Sequence, residues 1–144
     1  MNLFDEIKKK ADNGDAESQL KIGLMYEDGN GIEQNYEKAY EYYSKASNQG
    51  LEEATNYLGL LYQNGLGTKL DYQKAYECFK KASNNGYKYA NNNLGFLYLN
   101  GLGTERNYKE AFNSLTATSG SDKYLLNILK LINSGSKVIY LNNI

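Results

Sequence analysis

The chain has 144 residues, a net charge of −1, an isoelectric point near 5.5 and a mean hydropathy of −0.69. Nucleic-acid binders usually show a basic face or a high isoelectric point, so this balance argues against that class, and no apolar run in the sequence is long enough to span a bilayer. Histidine is absent, which removes the commonest general base, the usual serine triad and most zinc sites, and a single cysteine, Cys78, excludes an internal disulfide framework.

The N-terminus carries Asp5 and Glu6 where a secretory signal needs a basic start, so the chain as given is expected to be cytoplasmic. Leu3, Phe4, Ile7 and Ala11 then recur at helical spacing with Lys8, Lys9 and Lys10 between them, which predicts a helix over residues 2–13. Beyond it the sequence begins to repeat. Ile22-Gly23-Leu24-Met25-Tyr26-Glu27-Asp28-Gly29 returns as Leu58-Gly59-Leu60-Leu61-Tyr62-Gln63-Asn64-Gly65 and again as Leu94-Gly95-Phe96-Leu97-Tyr98-Leu99-Asn100-Gly101, at a step of 36 residues both times. Self-similarity at that period is the signature of a stack of helical hairpins. Shifted by the same 36, Leu3, Phe4 and Ile7 fall on Ala39, Tyr40 and Tyr43, so residues 1–13 read as a second helix without its first, a lysine-covered end to the stack.

Three full units follow, at 14–49, 50–85 and 86–121. In each, a helix A carries Ser18, Ala54 or Ala90, then Ile22, Leu58 or Leu94, then Tyr26, Tyr62 or Tyr98, spaced by four along one face and expected to be core. Gly23, Gly59 and Gly95 interrupt that helix at a cost of about 1 kcal/mol each relative to alanine, and so are expected to be notches for a close neighbour. Gly29, Gly65 and Gly101 should stop helix A in the left-handed conformation. The second loop glycine of each unit (Gly31, Gly67, Gly103) ends a helix instead of opening one after a strand, which argues against a phosphate-binding loop. Helix B should open at Asn35, Asp71 or Asn107 as N-cap, and bury Tyr36, Tyr72 or Tyr108, then Ala39, Ala75 or Ala111, then Tyr43, Phe79 or Leu115. After Gly120 the period slips to 34, and residues 122–135 read as a shortened capping helix before an apolar tail at 136–144.

A helix pair with Ala, Leu-Gly, Tyr, a Gly-x-Gly loop, an amide or acidic cap and Lys-Ala resembles the Sel-one-like repeat (SLR) family, relatives of the tetratricopeptide repeats. About 120 residues carry the resemblance. Thr68 and Thr104 depart from it where the family usually has valine, and Thr118 replaces the closing alanine that stands at Ala46 and Ala82. The resemblance implies an all-α, right-handed superhelical solenoid of antiparallel helix pairs that serves as a scaffold for protein–protein contacts, with no chemistry of its own. A cysteine-rich branch linked with beta-lactam binding is not matched, since this chain has one cysteine.

No metal or cofactor is expected, and Cys78, with no histidine to activate it, reads as a small buried apolar residue. The functional expectation rests on the face of helix A opposite the tyrosine stripe. At about 100° per residue that face carries Leu20, Leu24 and Glu27, then Asn56, Leu60 and Gln63, then Asn92, Phe96 and Leu99. In related arrays this line faces the concave groove, and apolar anchors flanked by amides are what an extended or helical peptide needs. The competing expectation is that these residues are buried between successive A helices. Residues 14–49 hold seven acids and three bases and residues 86–144 three acids and six bases, a polarity that would orient a partner or a head-to-tail copy of the chain. The sequence thus points to a non-catalytic module that binds a protein or peptide, without nucleic acid or membrane insertion. An immunity protein capping a toxin or a host-directed effector on the same scaffold is the alternative, and an enzyme a distant third.

Overall fold

The computed structural model describes residues 2–119. Over them run seven helices and no strand: α1 (Leu3–Asp12), α2 (Ala16–Asp28), α3 (Tyr36–Asn48), α4 (Glu52–Asn64), α5 (Tyr72–Asn84), α6 (Ala90–Asn100) and α7 (Tyr108–Ser119). Each packs on its neighbours in the chain, so the all-α stack is built from the helix pairs α2–α3, α4–α5 and α6–α7 with α1 as a half-pair before them. The capping helix and tail expected at 122–144 lie outside the described residues.

The helix ends follow from single side chains. Asn35 Oδ1 accepts from the Lys38 amide, Asp71 Oδ1 from the Lys74 amide and Asn107 Oδ1 from the Glu110 amide, each at 3.0 Å, which satisfies a first-turn donor that the helix itself cannot. Helices α2, α4 and α6 end on Gly29, Gly65 and Gly101 at φ of 66°, 64° and 64°, the left-handed cap in which a Cβ is unfavourable. Thr118 does not shorten the third helix B, which continues to Ser119.

The core is the tyrosine stripe and its small partners. Ile22, Leu58 and Leu94 are buried, as are Ala39, Ala75 and Ala111. The helix A glycines are the notches expected of them: the Tyr43 ring sits on Gly23, the Phe79 ring would lie 2.6 Å from a Cβ on Gly59, and Leu115 Cγ 2.6 Å from one on Gly95. Successive pairs are joined by an edge-on aromatic contact repeated at the 36-residue step. Phe4 meets Tyr26, Tyr40 meets Tyr62 and Tyr76 meets Tyr98, with ring centroids 5.7, 5.7 and 5.6 Å apart. The two tyrosine pairs add a hydroxyl–hydroxyl hydrogen bond of 2.9 Å that phenylalanine cannot make. The end of one helix B is also tied to the start of the next helix A, through Gln19 Nε2 to the Ala11 carbonyl at 3.0 Å, Ser47 to Thr55 at 2.6 Å, and Ser83 to Asn91.

At the ends of the stack Leu3 departs from its register counterpart, and the core expectation for Tyr108 fails. Leu3, at the register of the fully buried Ala39, is 68% exposed because α1 packs on the helix A that follows it, α2, and no helix A of its own unit lies among the described residues. Tyr108 is exposed, whereas Tyr36 and Tyr72 are half-buried. The first turns of α3 and α5 are approached by the loop of the following unit, and the unit that would follow α7 falls outside the described residues.

That loop contact explains the second loop glycine. A Cβ on Gly67 would collide with the carbonyl of Tyr36, and one on Gly103 with the carbonyl of Tyr72, while Gly31 meets nothing nearer than the Met25 methyl at 4.0 Å. Gly31 and Gly67 have similar φ, +79° and +70°, so both alanine variants carry the same left-handed strain. Gly67→Ala should therefore destabilise by about 1–3 kcal/mol more than Gly31→Ala, the usual range for overpacking against an immobile neighbour. Parallel urea titrations of the two variants measure the difference, and equal losses would show that the loop does not rest on the helix before it.

Candidate functional site

The face of the A helices singled out from the sequence is graded in burial. Leu20 and Asn56 are buried, at 4% and 5% exposure, and so are corrected from groove-lining to packing positions. The reason is the neighbouring helix: Leu20 belongs to the same core as Leu58 and Leu61 of α4, and Asn56 Oδ1 accepts from Asn93 Nδ2 of α6 at 3.0 Å. Asn92, at the same register in the last described A helix, is exposed. The middle level, Leu24, Leu60 and Phe96, is half-buried, each side chain resting on the core with part of its surface open. Glu27, Gln63 and Leu99 form a third half-buried level beside it. Of the motif residues, Gly23, Gly59, Gly95, Tyr62 and Tyr98 are buried, Tyr26 is half-buried, and Gly29, Gly65 and Gly101 cap the helices.

The third level changes together with the residue facing it on helix B from one unit to the next. In the first unit the Tyr43 hydroxyl, beyond the Gly23 notch, donates to Glu27 Oε2 at 2.5 Å. In the second unit both partners have changed: Phe79 stands for Tyr43 and Gln63 for Glu27. The ring has no hydroxyl, and Gln63 Oε1 is left buried without a donor. In the third unit Leu115 and Leu99 stand there, and the position is apolar on both sides. An unpartnered buried acceptor costs about 1–3 kcal/mol, so the second unit holds an unmet hydrogen-bonding need in the middle of this face.

Around the first two A helices the environment is acidic and aromatic. Tyr43 stacks on Tyr57 with centroids 5.4 Å apart. Burial first, then the hydrogen bond and charge of Glu27, push the Tyr43 hydroxyl far above the usual tyrosine range. Burial and then the carboxylates of Glu53, Glu27 and Asp28 raise Tyr57, and burial and Glu53 raise Tyr87. Cys78 lies away from this row, and burial pushes its thiol up to about 11, so it is neutral and unreactive near pH 7. Among the described residues no cluster of three or more acidic, cysteine or histidine side chains is arranged to hold a metal, and no helix is long and apolar enough to cross a membrane.

The sequence matches the Sel1 repeat over residues 16–51, 52–87 and 88–113, a register that takes in the pairs α2–α3 and α4–α5 whole and α6 with the first half of α7. The chain belongs to the Sel1 repeat family. No curated protein matches it. Among solved structures it is similar to a Sel1 repeat protein from Oxalobacter formigenes, with 30% identity, a TM-score of 0.76 and coverage of 87% of this chain and 53% of that one. It is also similar to c5321, a protective antigen of uropathogenic Escherichia coli strains with an SLR fold, with 30% identity, a TM-score of 0.82 and coverage of 94% and 29%. This Sel1 chain thus spans about half of the first and under a third of the second. Helicobacter pylori cysteine-rich protein B, at 22% identity and a TM-score of 0.62 over 86% of this chain and 96% of its own, shares the fold.

Two outcomes are expected. Phe79→Tyr should place a hydroxyl against Gln63 as Tyr43 does against Glu27, and raise stability by about 1 kcal/mol; a lower thermal midpoint would show that the orphaned oxygen is not within its reach. The raised tyrosines set a pH dependence. A folded-state pKa above the unfolded value of about 10 gives stability that is full below that pH and lost as pH rises through the folded value, about 12 for Tyr42. Thermal midpoints should hold through pH 9 and fall between about pH 10 and 12, with tyrosinate absorbance lagging a free-tyrosine titration until the protein unfolds.

Proposed function

We propose that this Sel1 repeat array is a non-catalytic scaffold that binds a protein or peptide along the A-helix face, between the open edges of Leu24, Leu60 and Phe96 and the polar level of Glu27 and Gln63. The observation that carries the reading is Gln63 Oε1, buried and without a donor. Gln63 as a whole is half-buried, so its amide can turn outward to meet a backbone N–H or side-chain donor from a bound chain, while the exposed parts of Leu60 and Phe96 supply the apolar contact that makes such a bond worthwhile. Glu27, Asp28 and Glu53 lie near Tyr57 on the same side of the first two units, which favours a partner with basic side chains at that end. The absence of histidine and the neutral thiol of Cys78 support a binding role over a catalytic one.

The burial of Leu20 and Asn56 narrows the row. Anchoring falls to the middle level, and the outer positions act through packing. A peptide library displayed on phage and selected against the full chain tests the reading without a known partner. Selected peptides should carry basic residues, and Leu60→Ala and Phe96→Ala should each weaken them by about 1 kcal/mol or more, as truncation of a central anchor does. Because both side chains are only half-buried, the two variants should lose less stability than the roughly 2–5 kcal/mol of a full core truncation. Peptides that bind the Leu60→Ala/Phe96→Ala double variant as tightly as the parent, once corrected for the folded fraction, would remove this face from the binding site.

A further inference from the structure

The first two units differ at one position on the other side of the stack. In the first, Tyr42 is buried at the junction of α1, α2 and α3, packed with Ile22 and stacked on Tyr26 with centroids 6.0 Å apart and planes 17° from parallel. Its hydroxyl donates to Asp12 Oδ1 at 2.8 Å, and Lys45 Nζ lies 4.9 Å from its ring centre, within cation–π range. Thirty-six residues on, the ring is missing: Cys78 stands at the register of Tyr42. The stacking tyrosine and the overlying lysine that received the ring are kept. Leu58 stands for Ile22, Tyr62 for Tyr26 and Lys81 for Lys45, Ser47 replaces Ala11, and Asn48, with an amide oxygen able to accept a hydroxyl proton, stands for Asp12.

The structure has an open depression of about 330 Å³ at this place, lined by Thr55, Leu58, Tyr62 and Cys78 together with the charged side chains of Lys74, Glu77 and Lys81. Lys74 Nζ lies 5.6 Å from the centre of the Tyr62 ring, so a cation, and not a stacked phenol, faces the counterpart of Tyr26. The third unit does not repeat the arrangement. Ser114 stands for Tyr42 there, but Glu110 and Ala117 replace the two lysines.

We propose that this depression is a binding slot for a tyrosine side chain projecting from a partner polypeptide. The occupant is argued from the first unit, which shows what the corresponding place holds when it is filled: a phenol ring, stacked on a tyrosine, under a lysine ammonium, with its hydroxyl on the side chain at the end of the preceding helix B. The slot lies beside helix B of the second unit and shares none of the anchoring residues of the A-face row, so it goes beyond that reading and stands or falls separately from it.

The test uses the full chain and a single-residue probe. Amide chemical shifts of the ¹⁵N-labelled protein are followed on addition of N-acetyl-L-tyrosinamide, with N-acetyl-L-leucinamide as the control. The tyrosine probe should shift the amides of Thr55, Leu58, Tyr62 and Cys78, and the leucine probe should not. Cys78→Tyr fills the slot from within, as the first unit does, and should weaken the probe by about tenfold or more while keeping or raising the thermal midpoint. Tyr42→Cys should open a second slot, seen as new probe-dependent shifts at Ile22 and Tyr26. The proposal is overturned if the tyrosine probe leaves the parent spectrum unchanged, if the leucine probe acts equally, if Cys78→Tyr still responds as the parent does, or if Cys78→Tyr lowers the midpoint and so shows that a ring does not fit.

Discussion

The structure depends on how closely helix B can approach helix A within one pair, and that distance is set by a glycine. Gly23, Gly59 and Gly95 present bare backbone where the side chain of the facing helix must go, and Tyr43, Phe79 and Leu115 occupy that space. A glycine inside a helix is unfavourable by about 1 kcal/mol relative to alanine, and the burial of a large side chain, worth about 1.5–3 kcal/mol, offsets it. Once the pair is held at that distance the rest of the register is constrained. The tyrosine at the end of helix A meets the edge of the preceding unit's ring, and the second loop glycine comes down on the carbonyl at the start of the preceding helix B.

The filler shrinks along the chain, from tyrosine to phenylalanine to leucine, and its partner on helix A changes with it. Glu27 accepts a hydroxyl proton, Gln63 has lost the donor, and Leu99 needs none. The first and third arrangements are each self-consistent. The second is not, and it leaves an unpaired polar group in the middle of the stack. The face on the other side shows the same kind of difference between units, a ring in the first and a thiol in the second, with the stacking tyrosine and the lysine retained. In a repeat protein the scaffold is specified several times over, so one unit can lose an internal contact while its neighbours keep the fold together.

The electrostatics follow the same division. Exposed pairs such as Lys38–Glu41 and Lys45–Glu41, each at 3.4 Å on α3, contribute little. The tyrosine hydroxyls are different, because those between helices are partly withdrawn from water and paired with one another or with carboxylates. Each pair links elements 16 to 30 residues apart in the chain. They tie the rings to one geometry where packing alone would accept several.

The period, the helix count per unit, the caps and the notches were determined by the sequence alone, because each is a property of one turn of chain or of a residue type. A left-handed cap favours glycine, an N-cap needs a short side-chain acceptor, and a step of 36 with those marks in place leaves a helical hairpin. Membership of the Sel1 repeat family was legible for the same reason. The burial of Leu20 and Asn56, the exposure of Leu3 and Tyr108, the orphaned Gln63 oxygen and the vacancy beside Cys78 were decided only by the tertiary structure. Each depends on which helix lies against a given face, and that neighbour comes from another unit of the chain. Leu20 and Asn92 occupy the same place in their own helices, yet one meets the next A helix and is buried while the other is open. A helix carries its periodicity in its own residues, but which of its faces is covered is a property of the stack.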